Sequence, residues 1–331
     1  MTRFLEIRDL SVSYGSDCAS GRILHAVNLD IHKGETLGIL GESGSGKSTI
    51  LRAIIKMLAS NAHVKGRISF EDRNLLTTEE SEMSAIRGAK ISMVYQDPIA
   101  AFDPVFTVGQ QIAETIIRHQ GASKRTALMR ARDLLDMVQI PMSSHRLNAY
   151  PHELSGGMRQ RAMIALALCC NPNLLLADEP TSALDLTVQM QIILLLKELQ
   201  RSLGMAMILV THDVGVAAEL CDKLAVLYSG NVVERGSTVD VILSPRHPYT
   251  LNLLEASVVG ERRGMRLQVT KGSSSNRENI SLGCAFEPRC RYADEQCLKR
   301  SPEEYLFEET HLHRCTRVAS GEISLSPPIV S

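Results

Sequence analysis

The first part of the chain alternates hydrophobic and polar positions. Phe4–Tyr14 (FLEIRDLSVSY) and the stretch Ile23–Ile31 have a period of two residues, which is typical of half-buried β-strands. Glu35–Leu40 (ETLGIL) is a short apolar run that ends in a glycine-rich loop, and a helical pattern, STILRAIIKMLA, follows that loop. This order predicts two strands, followed by a unit of strand, loop and helix.

Farther along, the hydrophobic pattern indicates short buried strands and helices in alternation. Gly66–Phe70 and Lys90–Tyr95 are predicted strands, and a helical period covers approximately Thr107–Gln139. Leu174–Ala177 and the run MAMILV are predicted strands on either side of a helix, Val188–Leu203. This alternation predicts an α/β fold with a largely parallel sheet, on which the helical middle of the chain forms an insert.

The composition changes after about Leu254. Gly260–Asn279 is polar and rich in Arg, Gly and Ser, which is typical of a linker. The predicted layout is a main domain over residues 1–255, with a helical subdomain at about 97–165, and then a linker and cysteine-rich region over 256–331.

Bulk properties narrow the class of protein. The chain of 331 residues has 36 basic and 37 acidic side chains, so its net charge gives no reason to expect binding to nucleic acid or to a membrane surface. No apolar run reaches the roughly 18 residues needed to span a bilayer, and the start, MTRFLEIRDL, lacks the features of a signal peptide. We therefore expect a cytosolic protein, in which clustered cysteines favour metal binding over disulfides.

The stretch Gly41–Thr49 (GESGSGKST) fits the phosphate-loop pattern G-x-x-x-x-G-K-[ST]. Glycines let backbone N–H groups turn towards a phosphate, and the helix that follows adds its positive dipole end. We expect Lys47 to reach the β- and γ-phosphates and the Ser48 hydroxyl to bind Mg²⁺. A glycine-rich surface turn is the alternative, but the predicted strand and helix on either side favour the phosphate loop. The candidate phosphate-binding residues are Gly41, Glu42, Ser43, Gly44, Ser45, Gly46, Lys47, Ser48 and Thr49.

A second candidate element is NLLLADE, a buried strand that ends in two carboxylates. Asp178 is predicted to hold Mg²⁺, and Glu179 to polarise the attacking water. His212, in LVTHD, ends the next predicted strand, and ligands of such sheets bind outside the carboxyl ends of the strands. We expect His212 to contact the γ-phosphate. Solvated carboxylates are the alternative for Asp178 and Glu179, and the phosphate loop upstream disfavours it. A structural histidine is the alternative for His212, and its position at the required edge of the predicted sheet disfavours that.

The octapeptide LSGGMRQR, Leu154–Arg161, resembles the signature motif of ATP-binding cassette (ABC) ATPases. Other elements of that family occur in its order over roughly Phe4–Leu254. The resemblance implies that Tyr14 stacks on adenine and that Gln96 links Mg²⁺ and the attacking water to a membrane partner. Ser182–Asp185 (SALD) is similar to the loop that communicates across the dimer in this family. The catalytic residues implied are Lys47, Glu179 and His212.

The resemblance also implies a dimer. In the family, signature residues bind the ATP that the phosphate loop of the other subunit holds. Here these residues are Ser155, Gly156, Gly157 and Met158, at the start of a helix predicted to continue to about Leu168. Because the chain has one phosphate loop and one signature, a second ABC ATPase subunit, identical or related, is expected.

Three further segments resemble the dipeptide/oligopeptide importer branch of the family, in which LSGGMRQR is also common. They are QDPIAAFDPVFTVGQQI, HPYTLNLL and GCAFEPRC. The branch implies a P-loop ABC core with a mostly parallel sheet, an antiparallel β subdomain and a helical subdomain, plus a small cysteine-rich C-terminal extension. It implies ATP and Mg²⁺ as ligands, two membrane permease subunits as partners and an extracytoplasmic solute-binding protein as an indirect partner. We therefore expect a peripheral protein on the cytoplasmic face of the bacterial inner membrane.

The main alternative is a soluble ABC ATPase that acts on DNA or ribosomes. Such proteins usually have two cassettes in one chain, a coiled-coil insert or basic arms. This chain has one cassette, no long heptad run and a formal net charge of −1, so an importer subunit without nucleic-acid partners is favoured.

Four of the eight cysteines lie near the C-terminus, at spacings C-x5-C, C-x6-C and C-x17-C. No C-x2-C pair is present among them, which disfavours a zinc ribbon, but the spacing alone leaves zinc, a [4Fe–4S] cluster and unpaired buried thiols open. The resemblance to the importer branch implies a [4Fe–4S] cluster, with zinc second. Its expected ligands are Cys284, Cys290, Cys297 and Cys315. The remaining cysteines, which we expect to be isolated, are Cys18, Cys169, Cys170 and Cys221. Cys169 and Cys170 close an apolar helix, so we expect them to pack as small hydrophobic residues.

Overall fold

A computed structural model describes residues 4–15, 21–182, 184–261, 283–308 and 310–327. The predicted linker, Gly260–Asn279, lies outside these residues except for its first two positions, and Cys18 also lies outside them. Two compact units are present. The first comprises Met1–Ile31, Thr36–Leu76 and Val210–Ser331, and the second comprises His32–Glu35 and Thr77–Leu209.

The described residues form twelve strands and twelve α-helices. The strands are β1 (Leu5–Tyr14), β2 (Arg22–Ile31), β3 (Thr36–Leu40), β4 (Ala62–Phe70), β5 (Arg73–Asn74), β6 (Ile91–Val94), β7 (Leu174–Asp178), β8 (Ala206–Thr211), β9 (Lys223–Tyr228), β10 (Asn231–Ser237), β11 (Tyr305–Phe307) and β12 (His311–His313). The helices are α1 (Lys47–Ile54), α2 (Glu80–Ile86), α3 (Val108–Gln120), α4 (Lys124–Met137), α5 (Ser143–Arg146), α6 (Gly156–Leu168), α7 (Leu186–Leu203), α8 (Val214–Leu220), α9 (Thr238–Leu243), α10 (Pro248–Glu261), α11 (Glu295–Lys299) and α12 (Thr316–Ala319).

The first unit contains an antiparallel sheet with the strand order β2-β1-β4-β5. Its alternating sequence pattern corresponds to alternating burial, because Leu5, Ile7 and Val12 of β1 are buried while the residues between them are mostly more exposed. The register joins Leu5 to Ile31 of β2 and is shifted between Ile7 and Leu10. The two strands that the alternation predicts at the start of the chain are therefore present.

A second set of strands in the first unit has the order β11-β12-β10-β9-β3. Strand β3 pairs with β9 in parallel, whereas β9, β10, β12 and β11 pair antiparallel in turn. Strands β11 and β12 come from the cysteine-rich region, so this region extends a sheet that the main domain begins. A buried carboxylate strengthens the junction, since Glu234 of β10 lies 2.7 Å from Nε2 of His311 and accepts hydrogen bonds from the N–H groups of Arg246 and His247.

The second unit combines β6, β7 and residues 206–209 of β8, in the strand order β8-β7-β6, with helices α2–α7. Strands β6 and β7 are parallel, with Val94 opposite Ala177. The predicted helical stretch Thr107–Gln139 is two helices, because Gly121 adopts a left-handed φ of 64° that ends α3, and Ser123 caps the next helix. Helix α6 contacts α3, α4 and β6, which explains why it is buried on nearly all sides.

Candidate nucleotide-binding site

The phosphate loop connects β3 to α1, and three glycines determine its shape. Gly44 and Gly46 have φ values of 78° and 106°, a backbone conformation that residues with a Cβ rarely adopt. A Cβ on Gly41 would lie 2.3 Å from the carbonyl oxygen of Leu227. Side chains at these positions would therefore strain or displace the loop. The N-terminus of α1 would then no longer be positioned next to the loop.

Lys47 is the first residue of α1 and is buried. Its Nζ donates to the carbonyl oxygens of Gly41 and Glu42, at 2.8 and 2.9 Å. The ammonium thus lies against the backbone of its own loop, and an incoming phosphate would compete with these two carbonyls for it. Ser45 Oγ is also buried here and makes no hydrogen bond within the described residues.

Tyr14 and His212 each lie at the carboxyl end of a strand. Tyr14 ends β1, is half-buried, and its N–H donates to Gly21 at 3.0 Å. His212 directly follows β8 and is exposed. The next residue, Asp213, caps α8 by accepting hydrogen bonds from two of its N–H groups, so the backbone next to His212 is held in place.

Asp178 and Glu179 lie at the carboxyl end of β7, as predicted. Asp178 is the last residue of the strand and is buried, whereas Glu179 is half-buried and has a left-handed φ of 45°. Nε2 of Gln96 donates to Glu179 Oε2 at 3.3 Å. Gln96 and Glu179 meet because β6 and β7 are parallel neighbours, so that both residues follow strand ends at the same edge.

The signature residues open α6 as predicted. Ser155 is the N-cap, and its hydroxyl accepts a hydrogen bond from the N–H of Met158 at 3.3 Å. A Cβ on Gly157 would lie 2.9 Å from Cγ1 of Val188 in α7. Asp185 caps α7 through the N–H of Val188. A Cβ on Gly156 would lie 3.9 Å from Cδ2 of Leu184, so Leu184 of the SALD stretch lies next to the signature.

The four C-terminal cysteines line one cavity, together with side chains that include Phe286 and Arg317. Burial raises the pKa of the Cys284 thiol to about 12 and that of Cys315 to about 11, and it also raises the pKa values of Cys290 and Cys297. A ligand that takes thiolates would therefore have to displace protons. In the described part of the chain, no group of three or more His, Cys, Asp or Glu side chains is placed to hold a metal ion.

The other described cysteines are buried and do not belong to the cavity. Cys169, Cys170 and Cys221 are free thiols with less than a tenth of their surface exposed, in agreement with the prediction that Cys169 and Cys170 pack as small hydrophobic residues.

Tyr249 and Arg289 contact the phosphate loop, although no sequence pattern predicts it. The Tyr249 hydroxyl accepts from the N–H of Glu42, and the Arg289 guanidinium pairs with the Glu42 carboxylate. Both residues lie in segments that the resemblance had singled out, HPYTLNLL and GCAFEPRC, but their distance along the chain gave no sign of this contact.

Within the described residues, no helix is both long enough and apolar enough to cross a bilayer.

Comparisons with known proteins agree with this geometry. The ABC transporter family model matches residues 24–182, and the model of the oligopeptide/dipeptide transporter C-terminal region matches residues 233–297. The oligopeptide transport ATP-binding protein OppD of Salmonella typhimurium is 42% identical, over 94% of this chain and 92% of that protein. OppD of Bacillus subtilis is 40% identical, over 99% of this chain and 92% of that protein.

Solved structures give the same picture of the fold. The ATP-binding cassette MJ0796, in a dimeric post-hydrolysis state bound to ADP and Pi, aligns with a TM-score of 0.63 at 32% identity and covers 71% of this chain and 98% of its own. The protein cbiO1 from Clostridium perfringens, part of the ABC transporter complex cbiONQ, has the same TM-score at 28% identity, over 73% of this chain and 91% of its own.

The close approach of α6 and α7 leads to a stability prediction. Gly157→Ala should lower the free energy of unfolding by about 1–3 kcal/mol, because the new methyl group would overlap with Val188. The second change Val188→Ala should restore part of the loss. Gly156→Ala is the matched control, since its Cβ would meet nothing closer than Leu184 at 3.9 Å. Urea unfolding measures the free energy of unfolding of the native chain, the two single variants and the double variant. Equal stability of the Gly156→Ala and Gly157→Ala variants would contradict the packing described.

Proposed function

Because the chain belongs to the ABC transporter family, among the oligopeptide transport ATP-binding proteins, we propose that it binds and hydrolyses ATP to energise a bacterial importer of peptides or related small solutes. The observation that carries this proposal is the phosphate loop, whose glycine conformations and buried Lys47 fit phosphate binding. The match of the C-terminal region to peptide transporters favours import over the alternative role on DNA or ribosomes.

Each residue of the site has a proposed part in hydrolysis. Lys47 exchanges its carbonyl partners for the β- and γ-phosphate oxygens, and Tyr14 stacks on the adenine. Glu179 accepts a proton from the attacking water, and Gln96, already hydrogen-bonded to it, orients its carboxylate. His212 stabilises the γ-phosphate. The left-handed backbone of Glu179 supports this assignment, since such strain is concentrated at functional sites.

We also propose three oxygen ligands for the magnesium ion that accompanies ATP. Ser48, Gln96 and Asp178 offer hydroxyl, amide and carboxylate oxygens, which are the ligands that Mg²⁺ prefers. When bound, the ion would offset negative charge on the phosphate oxygens.

We further propose that two cassettes act together. The chain has one phosphate loop and one signature, so Ser155, Gly156, Gly157 and Met158 would bind ATP held by the partner cassette. The capped start of α6 supports this role, because a helix N-terminus favours an anionic ligand. ATP binding would then close the pair, and hydrolysis would release it. The pair would work on the cytoplasmic face of the inner membrane with two permease subunits, to which an extracytoplasmic binding protein delivers the solute.

Replacement of the proposed base separates hydrolysis from closure. Glu179→Gln should lower ATP turnover by about a hundredfold or more, because the amide cannot accept the proton, while ATP-dependent pairing with the partner cassette persists. Phosphate release measures the first effect, and sedimentation measures the second. Glu198→Gln, an exposed carboxylate of α7, is the control and should keep normal turnover. Normal turnover by Glu179→Gln would remove Glu179 from the proposed role.

We also propose that the cavity cysteines hold a [4Fe–4S] cluster with a structural role, and zinc is the second choice. The support is the donor set, since four thiols line one cavity. A zinc ion would need all its sulfurs within about 2.3 Å of a single point. A four-iron cluster is wider, so its ligands can stand farther apart.

The chain purified without oxygen should contain iron and sulfide and absorb visible light. Cys290→Ser should abolish the bound iron and sulfide and the visible absorption, because a cavity ligand is lost. Cys169→Ala, which changes a buried cysteine outside the cavity, is a control that should retain all three. Metal analysis and absorption spectra measure the outcome. Zinc alone, or no metal in the native chain, would rule the cluster out.

A further inference from the structure

A residue of the cysteine-rich region reaches the phosphate loop. The two terminal nitrogens of Arg289 donate to the two carboxylate oxygens of Glu42, at 2.8 and 2.9 Å, across 247 positions of sequence. The guanidinium side chain is 10% exposed and the carboxylate 32% exposed. Two parallel charge-assisted hydrogen bonds fix orientation as well as distance. The Glu42 side chain is therefore held in a single direction.

The backbone of Glu42 is held as well. Its N–H donates to the Tyr249 hydroxyl at 2.9 Å, and its carbonyl accepts from Lys47 Nζ. Tyr249 is buried, and burial raises its pKa, so the hydroxyl stays neutral. All three polar groups of Glu42 are thus engaged. One partner is the phosphate-binding lysine, and the other two belong to the C-terminal segments.

A packed cluster of aromatic rings supports this contact. The rings of Tyr228 and Tyr249 lie 4.6 Å apart, and Phe286 lies 5.1 and 5.3 Å from them. Arg289 lies over the Tyr228 ring at 5.7 Å. Phe286 and Arg289 share one helical turn, in which the N–H of Arg289 donates to the carbonyl of Phe286 at 3.0 Å. Arg289 therefore has little freedom to move away from the loop.

We propose that Arg289 is a positioning residue for the phosphate loop, which acts through Glu42 to set the affinity for ATP. It makes no contact with the nucleotide in this proposal. Arg289 holds the carbonyl of Glu42 in place, and this carbonyl sets the resting position of Lys47. From that position the Lys47 ammonium can exchange the carbonyl for a phosphate oxygen of ATP at low cost. The inference rests on the proposed ATP-binding function and extends it, because it makes the cysteine-rich segment part of the nucleotide site.

A purely structural role of the pair would be to fasten the C-terminal region to the main domain. Arg291 provides the comparison, because it forms a similar two-bond pair with Glu255 of α10, at 2.6 and 3.2 Å, and this pair does not involve the loop. Fastening would be weakened by loss of either pair, whereas loop positioning would be weakened by loss of the Arg289 pair alone.

The test is calorimetric binding of Mg²⁺–ATP to the full chain and its variants. Arg289→Gln and Glu42→Gln should each weaken binding about tenfold, and the double variant should be little weaker than either single one. Arg289→Lys should recover part of the affinity, and Arg291→Gln should bind as the native chain does. In turnover assays the loss should raise KM for ATP more than it lowers kcat.

The outcomes separate this inference from the function on which it rests. If the native chain does not bind ATP, both fail. If the native chain binds and Arg289→Gln binds equally well, only the positioning role fails. An equal loss of affinity in Arg291→Gln, or additive losses in the double variant, would also overturn it. Glu42→Gln breaks the same pair without altering the sequence of the C-terminal segment, so it still tests the positioning role if Arg289→Gln folds poorly.

Discussion

The ammonium of Lys47 lies against the carbonyl oxygens of Gly41 and Glu42, and the remainder of the candidate site depends on this contact. It depends on Gly44 and Gly46, whose positive φ values residues with a Cβ rarely adopt. A charge held by its own loop is available to a phosphate without a large rearrangement. The contact thus links the local geometry of nine residues to the proposed binding of ATP.

The C-terminal region is joined to this loop by two kinds of interaction. Strands β11 and β12 continue the sheet beyond β10, where the buried carboxylate of Glu234 meets His311. Arg289 then pairs with Glu42 from a turn between two of the cavity cysteines. A region that looks like an appendage in sequence is therefore packed against the element that would bind nucleotide.

Local patterns were sufficient for much of the fold. Alternation predicts β1 and β2, and the apolar runs predict β3 and β7, because burial of one face or of a whole strand leaves a visible period. Three-residue strands such as β11 are too short for any period. The pairing of Arg289 with Glu42 and the left-handed backbone of Glu179 are set by tertiary structure, so no local pattern announces them.

The central claim is that the Gly41–Thr49 loop binds ATP through Lys47. Titration of Mg²⁺–ATP into the native chain and the Lys47→Ala variant, with circular dichroism to confirm the fold, tests it most directly. The account predicts one saturable site per native chain and loss of that site in the variant. Equal binding by the two proteins would contradict it.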